Sequence, residues 1–207
     1  MSFRKEEKLR IHKEQLSKLL NWIVENGGAE LYPQRIVSST YFDNDNLKSF
    51  FESEEGSVPR KKIRIRSYSI EKHSNSNSSF EIKISSVEGR YKTSTPMVDI
   101  ENVMDSGYFD SSYGICKPKV RITYSRTYYK VHNVRLTIDQ NIEYTAINNN
   151  LFNTAHIIQE PEIIVEIKAP ENTPGEFLNR QFPFERTRFS KYSKAINGII
   201  FNKSITY

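Results

Sequence analysis

Arg64 and Arg66 stand two residues apart in the run KKIRIRSY, Lys61 to Tyr68, alternating with Ile63 and Ile65. Successive side chains of a strand point to opposite faces, so the arginines and Tyr68 share one face and the isoleucines take the other. The same even spacing recurs in Glu81 and Lys83, in Arg121 and Thr123, in Arg135 and Asp139, and in Glu166 and Lys168, each set against aliphatic neighbours, and in Arg4, Glu6 and Lys8, whose strand has a mixed outer face. A sheet of such strands packs its apolar side outward on helices and encloses something with its charged side. An interior lined by Arg4, Lys8, Arg64, Arg66, Lys83, Arg121 and Arg135 repels itself in a low dielectric and is costly to desolvate, so it must hold water and a polyanion. Arginine's planar fork matches phosphate oxygens in pairs and lysine acts as a compact point charge, a mixture that suits a chain of phosphates.

Three carboxylates share these faces, Glu6, Glu81 and Glu166. Each either neutralises neighbouring cations or holds Mg²⁺ or Mn²⁺, hard ions that take one or two carboxylates and complete their shell with phosphate oxygens. Glu166 is the expected metal ligand, with Glu6 and Glu81 behind it. A single basic strand needs no ligand, since surface charge is simply solvated. A single-stranded nucleic-acid platform would interleave aromatic residues among the cations and avoid glutamate; Tyr68 and Tyr124 are available, but acids stand where aromatics would be wanted, and no nucleic acid is expected. The chain has no Gly-rich phosphate loop, no HExxH, no CxxC and no nucleophile motif, so an anion would be gripped by side chains rather than by a helix terminus.

The elements that must position these residues follow from periodicity. A strand is expected over Ser2 to Ile11 and a helix over His12 to Asn26, with Leu16, Leu19, Leu20 and Ile23 on one face and Gly27-Gly28 as its stop. A strand over Gln34 to Phe42 leads into the turn Asp43-Asn44-Asp45, which caps a short helix over Leu47, Phe50 and Phe51, with Glu52 to Pro59 as loop. Glu71 to Ser79 reads as an exposed connection. Phe80 to Ser85 and Arg90 to Thr95 form a hairpin across Val87-Glu88-Gly89, and a short helix is placed at Val98 to Met104. Two long strands, Lys119 to Val131 and Val134 to Tyr144, flank His132-Asn133. Asn148 to Gln159 reads as polar loop, Glu162 to Lys168 as a strand, and Pro174 to Phe182 and Ser190 to Ile200 as helices. The expected fold class is β-dominated α+β with about eight strands and short helices, in a single domain over residues 1–207.

Composition agrees with that class. The chain has 207 residues, 27% of them charged, and a formal charge of +5 that favours anionic partners. Its one cysteine, Cys116, excludes an intrachain disulfide and is expected as an inert thiol at the head of a strand. No apolar run approaches the ~20 residues of a spanning helix. The start MSFRKEEKLR has neither a signal peptide's apolar stretch nor a lipidation motif, so a cytoplasmic protein is expected.

Taken in order, R-x-E-x-K at Arg4 to Lys8, YFDNDNL at Tyr41 to Leu47, RIR at Arg64 to Arg66, EIK at Glu81 to Lys83, PKVRITYSR at Pro118 to Arg126, VRLTID at Val134 to Asp139, VEIK at Val165 to Lys168 and RFSKYSKAINGI at Arg188 to Ile199 resemble a VTC domain, the polyphosphate-polymerase domain of the vacuolar transporter chaperone complex, within the CYTH or triphosphate tunnel metalloenzyme superfamily. The resemblance runs nearly end to end. It implies an eight-stranded antiparallel β tunnel with helices packed outside, a basic lining that binds the phosphates of ATP or another triphosphate, and a divalent metal, Mn²⁺ or Mg²⁺, held by glutamate. Position by position, Lys8, Arg64, Arg66, Lys83, Lys92, Arg121 and Arg135 fall on phosphate-binding positions. Glu166 falls on the metal ligand, and Lys191 on a lysine that helps close the tunnel. Arg188 stands where well-studied members have lysine, and the first motif ends in Lys-Leu rather than Lys-Tyr. The phosphate-sensing SPX domain and membrane helices of eukaryotic polymerases have no counterpart in this sequence.

The implied chemistry is phosphoryl transfer, with Arg64, Arg66, Lys83 and Lys191 as its catalytic cations. With phosphate or polyphosphate as acceptor the product is inorganic polyphosphate; with water as acceptor the protein is a triphosphatase. The basic segment around Arg188, Lys191 and Lys194 favours the polymerase by offering further phosphate contacts. A non-catalytic polyphosphate-binding module would keep the arginines and need no metal.

Overall fold

Strand alternation decides which side chains the fold buries. The computed structural model describes residues 4–70, 78–96, 99–147 and 157–201. In chain order the elements are β1 (Arg4–Ile11), α1 (Lys13–Glu25), β2 (Ala29–Asp43), α2 (Lys48–Glu55), β3 (Arg60–Ser69), β4 (Ser78–Ser86), β5 (Gly89–Pro96), α3 (Ile100–Ser106), β6 (Tyr108–Asp110), β7 (Gly114–Val131), β8 (Val134–Ala146), β9 (Ile157–Gln159), β10 (Ile163–Pro170), α4 (Gly175–Gln181) and α5 (Lys191–Ile199). Eight strands follow one another in the sheet order β1-β10-β8-β7-β2-β3-β4-β5, while β6 pairs with β7 and β9 with β8. The fold is thus β-dominated α+β, mostly antiparallel, with five short helices among the described residues. None of those helices is long and apolar enough to cross a membrane.

The chain divides into two compact units, the first of Met1–Ile36, Tyr124–Ile142 and Glu160–Phe189, the second of Val37–Thr123, Glu143–Gln159 and Ser190–Tyr207. In the first unit, Leu9 and Ile11 of β1, Leu136 and Ile138 of β8, and Val165 and Ile167 of β10 pack with Leu19 and Ile23 of α1 and Leu178 of α4. Trp22 closes this core against Phe182, ring centroids 4.5 Å apart. Fully burying each such side chain stabilises by roughly 1.5–3 kcal/mol, and the alternate residues of these strands are thereby turned to the other face. After α1 the chain turns at Gly27, φ +66°, and comes so close to the helix at Gly28 that a Cβ there would lie 2.6 Å from the Ile23 carbonyl oxygen. The expected glycine stop therefore has two distinct causes, a left-handed turn and a close approach.

In the second unit, Ile63 and Ile65 of β3 pack with Phe42, Tyr113 and Cys116, and Val103 and Met104 of α3 cover them. The expected Asp43-Asn44 cap is present. Asp43 Oδ1 accepts from Ser49 N and Oδ2 from Phe50 N, both at 3.0 Å, and Asn44 Oδ1 accepts from Lys48 N at 3.0 Å. Asp45 instead pairs with Lys119 at 2.8 Å.

Several boundaries differ from the sequence reading. β2 begins at Ala29 and β7 at Gly114, because both strands run through a proline, Pro33 and Pro118, that sequence rules take as a strand boundary. α2 extends to Glu55 and ends at Gly56 in left-handed geometry, so only 56–59 form the loop. α3 starts two residues later than expected, where Asp99 accepts from Asn102 N at 3.1 Å. Of the expected loop at 148–159, Ile157–Gln159 form β9 and the rest lies outside the described residues, as do 71–77 of the expected connection. Cys116 lies within β7 as a fully buried thiol, and burial pushes its pKa up to about 11, which makes it inert as expected.

Candidate phosphate-binding site

The β3 alternation that buries Ile63 and Ile65 turns Lys62, Arg64 and Arg66 to the opposite face. Antiparallel register carries this face across three strands. Lys62 lies opposite Lys83, which lies opposite Lys92, and the neighbouring row runs from Arg64 to Glu81 to Ser94. Three lysines in register repel one another. Glu81 answers them from the adjacent row: its Oε2 accepts from Arg64 Nε at 2.7 Å and lies 2.6 Å from Nη2, and its Oε1 lies 2.5 Å from Lys92 Nζ. Burial pushes the Glu81 pKa up, but Arg64, the Lys92 hydrogen bond and Arg66 outweigh it, and the carboxyl is held below its ordinary value. Arg66 is buried and donates from Nε to Ser39 Oγ at 2.9 Å, while Lys62 Nζ donates to Ser190 Oγ at 2.8 Å.

Tyr41 of β2 completes this group. Arg64 Nη1 donates to its hydroxyl at 2.8 Å, and the Tyr192 ring of α5 stacks on it with centroids 5.1 Å apart. Burial alone raises a phenol's pKa, but the fields of Arg64, Arg66 and Lys62 and the Arg64 hydrogen bond prevail and bring Tyr41 down to about 7. The Tyr192 hydroxyl donates to Asp43 Oδ2 at 2.6 Å, so α5 is tied to the carboxylate that caps α2. Ser190 caps α5 by accepting from Ser193 N, and Lys191 and Lys194 stand three residues apart at the start of that helix, both half-buried. Arg121 is exposed on β7, alternating with buried Val120 and Ile122, and is not drawn into this group.

The first unit carries its own charged face. Opposite one another stand Lys8, Glu166 and Thr137 in one row and Glu6, Lys168 and Arg135 in the next. Lys168 Nζ lies 3.2 Å from Glu6 Oε1 and 3.5 Å from Glu166 Oε1, a shared ammonium between two carboxylates on neighbouring strands. Arg126 of β7 grips Asp139 of β8 with Nε to Oδ1 at 2.6 Å and Nη2 to Oδ2 at 2.8 Å, and reaches Glu166 Oε2 at 4.0 Å. Lys8 Nζ donates to the Phe189 carbonyl at 2.5 Å, beside half-buried Arg188. Among the described residues two buried polar atoms of β8, Arg135 Nε and Thr137 Oγ1, have no hydrogen-bond partner. A guanidinium N–H and a hydroxyl left so on one strand face suit an oxygen-rich anion.

The same face tests the fit of a divalent cation. Among the described residues no group of three or more His, Cys, Asp or Glu converges. Glu6 and Glu166 supply two carboxylates, but the Lys168 ammonium already stands between them, so a hard ion would have to take that ammonium's place. Glu81 suits that role least, because both its oxygens are engaged by Arg64 and Lys92. Sequence reasoning did not single out Arg126, Thr137, Tyr41 or Tyr192, and took Asp43 only as a helix cap. Arg126 was legible in principle, two residues after the buried Tyr124 whose ring its guanidinium covers at 5.1 Å.

The VTC domain pattern matches residues 3–106 and 99–200. This chain belongs to the VTC domain family. Its fold is shared with two proteins described as candidate adenylate cyclases. One, from Bacillus halodurans, has TM-score 0.59 at 14% identity, over 91% of this VTC domain and 94% of that chain. The other, from Vibrio parahaemolyticus, has TM-score 0.56 at 12% identity over 95% and 98%. At such identities the likeness is one of fold. A chain of the Schizosaccharomyces pombe Mediator head module also resembles the VTC domain, with TM-score 0.50 and 10% identity over 86% of this chain and 88% of that one. Fold alone therefore assigns no reaction. A sequence search of curated proteins found no match.

Proposed function

We propose that this VTC domain binds the phosphate chain of ATP and transfers its γ-phosphoryl group to phosphate or to the end of a polyphosphate chain, building inorganic polyphosphate. The observation that carries this reading is the register of Lys62, Lys83 and Lys92 across three strands, next to Arg64 and Arg66. Like charges directly opposite destabilise a sheet, and a bound chain of phosphates would turn that repulsion into attraction at several points at once. Family membership and the fold support a triphosphate as the ligand.

In this reading Arg64, Arg66, Lys83 and Lys191 stabilise the charge that spreads over the transferred group, and Lys92 holds further phosphates of the same chain. The bond from the γ-phosphorus to the bridging oxygen of ADP breaks, and a bond to an acceptor phosphate oxygen forms. Glu166, assisted by Glu6, would be the residue to hold Mn²⁺ or Mg²⁺, which when bound supplies positive charge to phosphate oxygens. Arginine keeps its charge throughout, so the grip does not depend on a proton being in place.

Incubation with ATP and Mn²⁺ or Mg²⁺, followed as ADP release, tests for transfer. Metal-dependent ADP formation, lost on combined Arg64→Ala and Lys83→Ala substitution, is expected. No turnover of ATP or of tripolyphosphate with either metal would contradict the reading.

A further inference from the structure

Tyr41 occupies an unusual position for a phenol. It is 7% exposed, and its oxygen accepts from Arg64 Nη1, while the same guanidinium gives Nε and Nη2 to Glu81. Accepting from a guanidinium, the phenolic oxygen makes its strongest contact with Arg64 when its own proton is absent. The charged and titratable groups that face the ring are Lys62, Arg64 and Arg66 from β3, Glu81 of β4 through Arg64, and Tyr192 of α5, which is itself bonded to Asp43 of β2. The fields of three cations act on this phenol, and the Glu81 carboxylate behind Arg64 is already engaged by Arg64 and Lys92.

We propose that Tyr41 is the exchangeable partner of Arg64 beside the fixed partner Glu81: its phenolate holds Nη1 of the guanidinium in place, yields it to a phosphate oxygen of the incoming chain, and takes up a proton from solvent as it does so. This deepens the proposed function and rests on its reading of the Arg64 cluster as the phosphate-chain site. No bond to phosphorus involves Tyr41; its oxygen gains one proton on binding and loses it on release. The physical cause is the field. Lys62, Arg64 and Arg66 hold the phenol near pH 7 against the opposing effect of burial, and several phosphate charges placed beside them cancel that field, so burial then governs and the phenol is neutral. Binding coupled to one proton weakens about tenfold for each pH unit over which the unliganded phenol is ionised and the liganded one is not. Tyr41 is thus a positioning residue that makes the grip on phosphate sensitive to pH in the neutral range.

The test uses tripolyphosphate without metal, on the whole chain, read by near-ultraviolet absorbance of tyrosinate and by calorimetry. Of the twelve tyrosines, one is expected to ionise near pH 7 in the unliganded protein, and its tyrosinate band should vanish on saturation with tripolyphosphate one unit above that pH. Tyr41→Phe, which keeps the stacked ring, should bind tripolyphosphate without that band. Its affinity relative to the native protein should rise about tenfold per pH unit above 7. No tyrosinate near neutral pH, or a band unchanged while calorimetry reports binding, would overturn the role of Tyr41 and leave the phosphate-chain reading standing. No binding of tripolyphosphate at any pH would overturn both. The wild-type band decides the matter even if the variant does not fold.

Discussion

Lys61 and Lys62, adjacent in sequence, serve opposite faces of β3: Lys61 Nζ lies 2.8 Å from Asp110 Oδ2 in an ion pair beside the Tyr113 ring, while Lys62 Nζ donates to Ser190 Oγ at the cap of α5. Strand alternation thus separates a structural lysine from one in the proposed phosphate-binding group. Lys62→Ala should weaken tripolyphosphate binding roughly tenfold, the scale of one charge-assisted hydrogen bond, and make binding less salt-dependent. Lys61→Ala should leave affinity unchanged. Calorimetry at two salt concentrations checks both.

Arg126 and Asp139 form a two-point bond in which Asp139 is 1% exposed, and the guanidinium pKa is raised well above its ordinary value because Asp139 outweighs the burial that would lower it. Arg126→Ala leaves that carboxylate buried without its main partner and should destabilise the fold by about 3–5 kcal/mol. Replacing both residues by apolar ones should cost less than Arg126→Ala alone. Urea denaturation of the two variants measures the difference.

Glu81 gives the fold a specific acid sensitivity. Its folded-state pKa is depressed because Arg64, Lys92 and Arg66 overcome the effect of burial, so its contribution to stability is fully present above the ordinary carboxylate range and is lost as pH falls through the depressed value. Glu81→Gln should flatten the acid limb of the stability curve while lowering stability at neutral pH. Melting temperatures of both proteins from acid to neutral pH provide the check.

The Tyr192 hydroxyl bonded to Asp43 ties α5 to β2 and α2. Burial pushes the Asp43 carboxyl up despite its hydrogen bonds, so stability from this group is greatest below the ordinary carboxylate range and declines as pH rises through its folded value. Tyr192→Phe keeps the stack on Tyr41 and removes the bond, at a cost of about 1.5–3 kcal/mol. Its denaturation midpoint should fall accordingly, whereas the ring contact should keep α5 docked, as read by circular dichroism.

Much of this was legible in the sequence because a strand has a fixed period of two. The buried sides of β1, β3 and β10, the apolar stripe of α1 and the Asp43 cap all follow from residue order alone. The charged groups on the other faces were legible as faces but not as networks. That Lys168 is shared between Glu6 and Glu166, or that Glu81 is consumed by Arg64 and Lys92, depends on register, which alternation does not fix. Arg121 and Arg126 are five residues apart, an odd spacing that sends them to opposite faces of a regular strand; attention to the first hid the second. Tyr41 was invisible as a functional group because its acidity arises from three cations on another strand. The early starts of β2 and β7 were hidden by prolines that a strand tolerates but sequence rules penalise.

The central claim is that the γ-phosphoryl group of ATP ends in a growing phosphate chain. Supplying ATP labelled in that phosphate together with Mn²⁺, and resolving the labelled products by size over time, tests it most directly. The account predicts labelled chains that lengthen with time, one ADP formed per phosphate added, and their loss on combined Arg64→Ala and Lys83→Ala substitution. Label recovered wholly as free phosphate, or remaining in ATP, would contradict it.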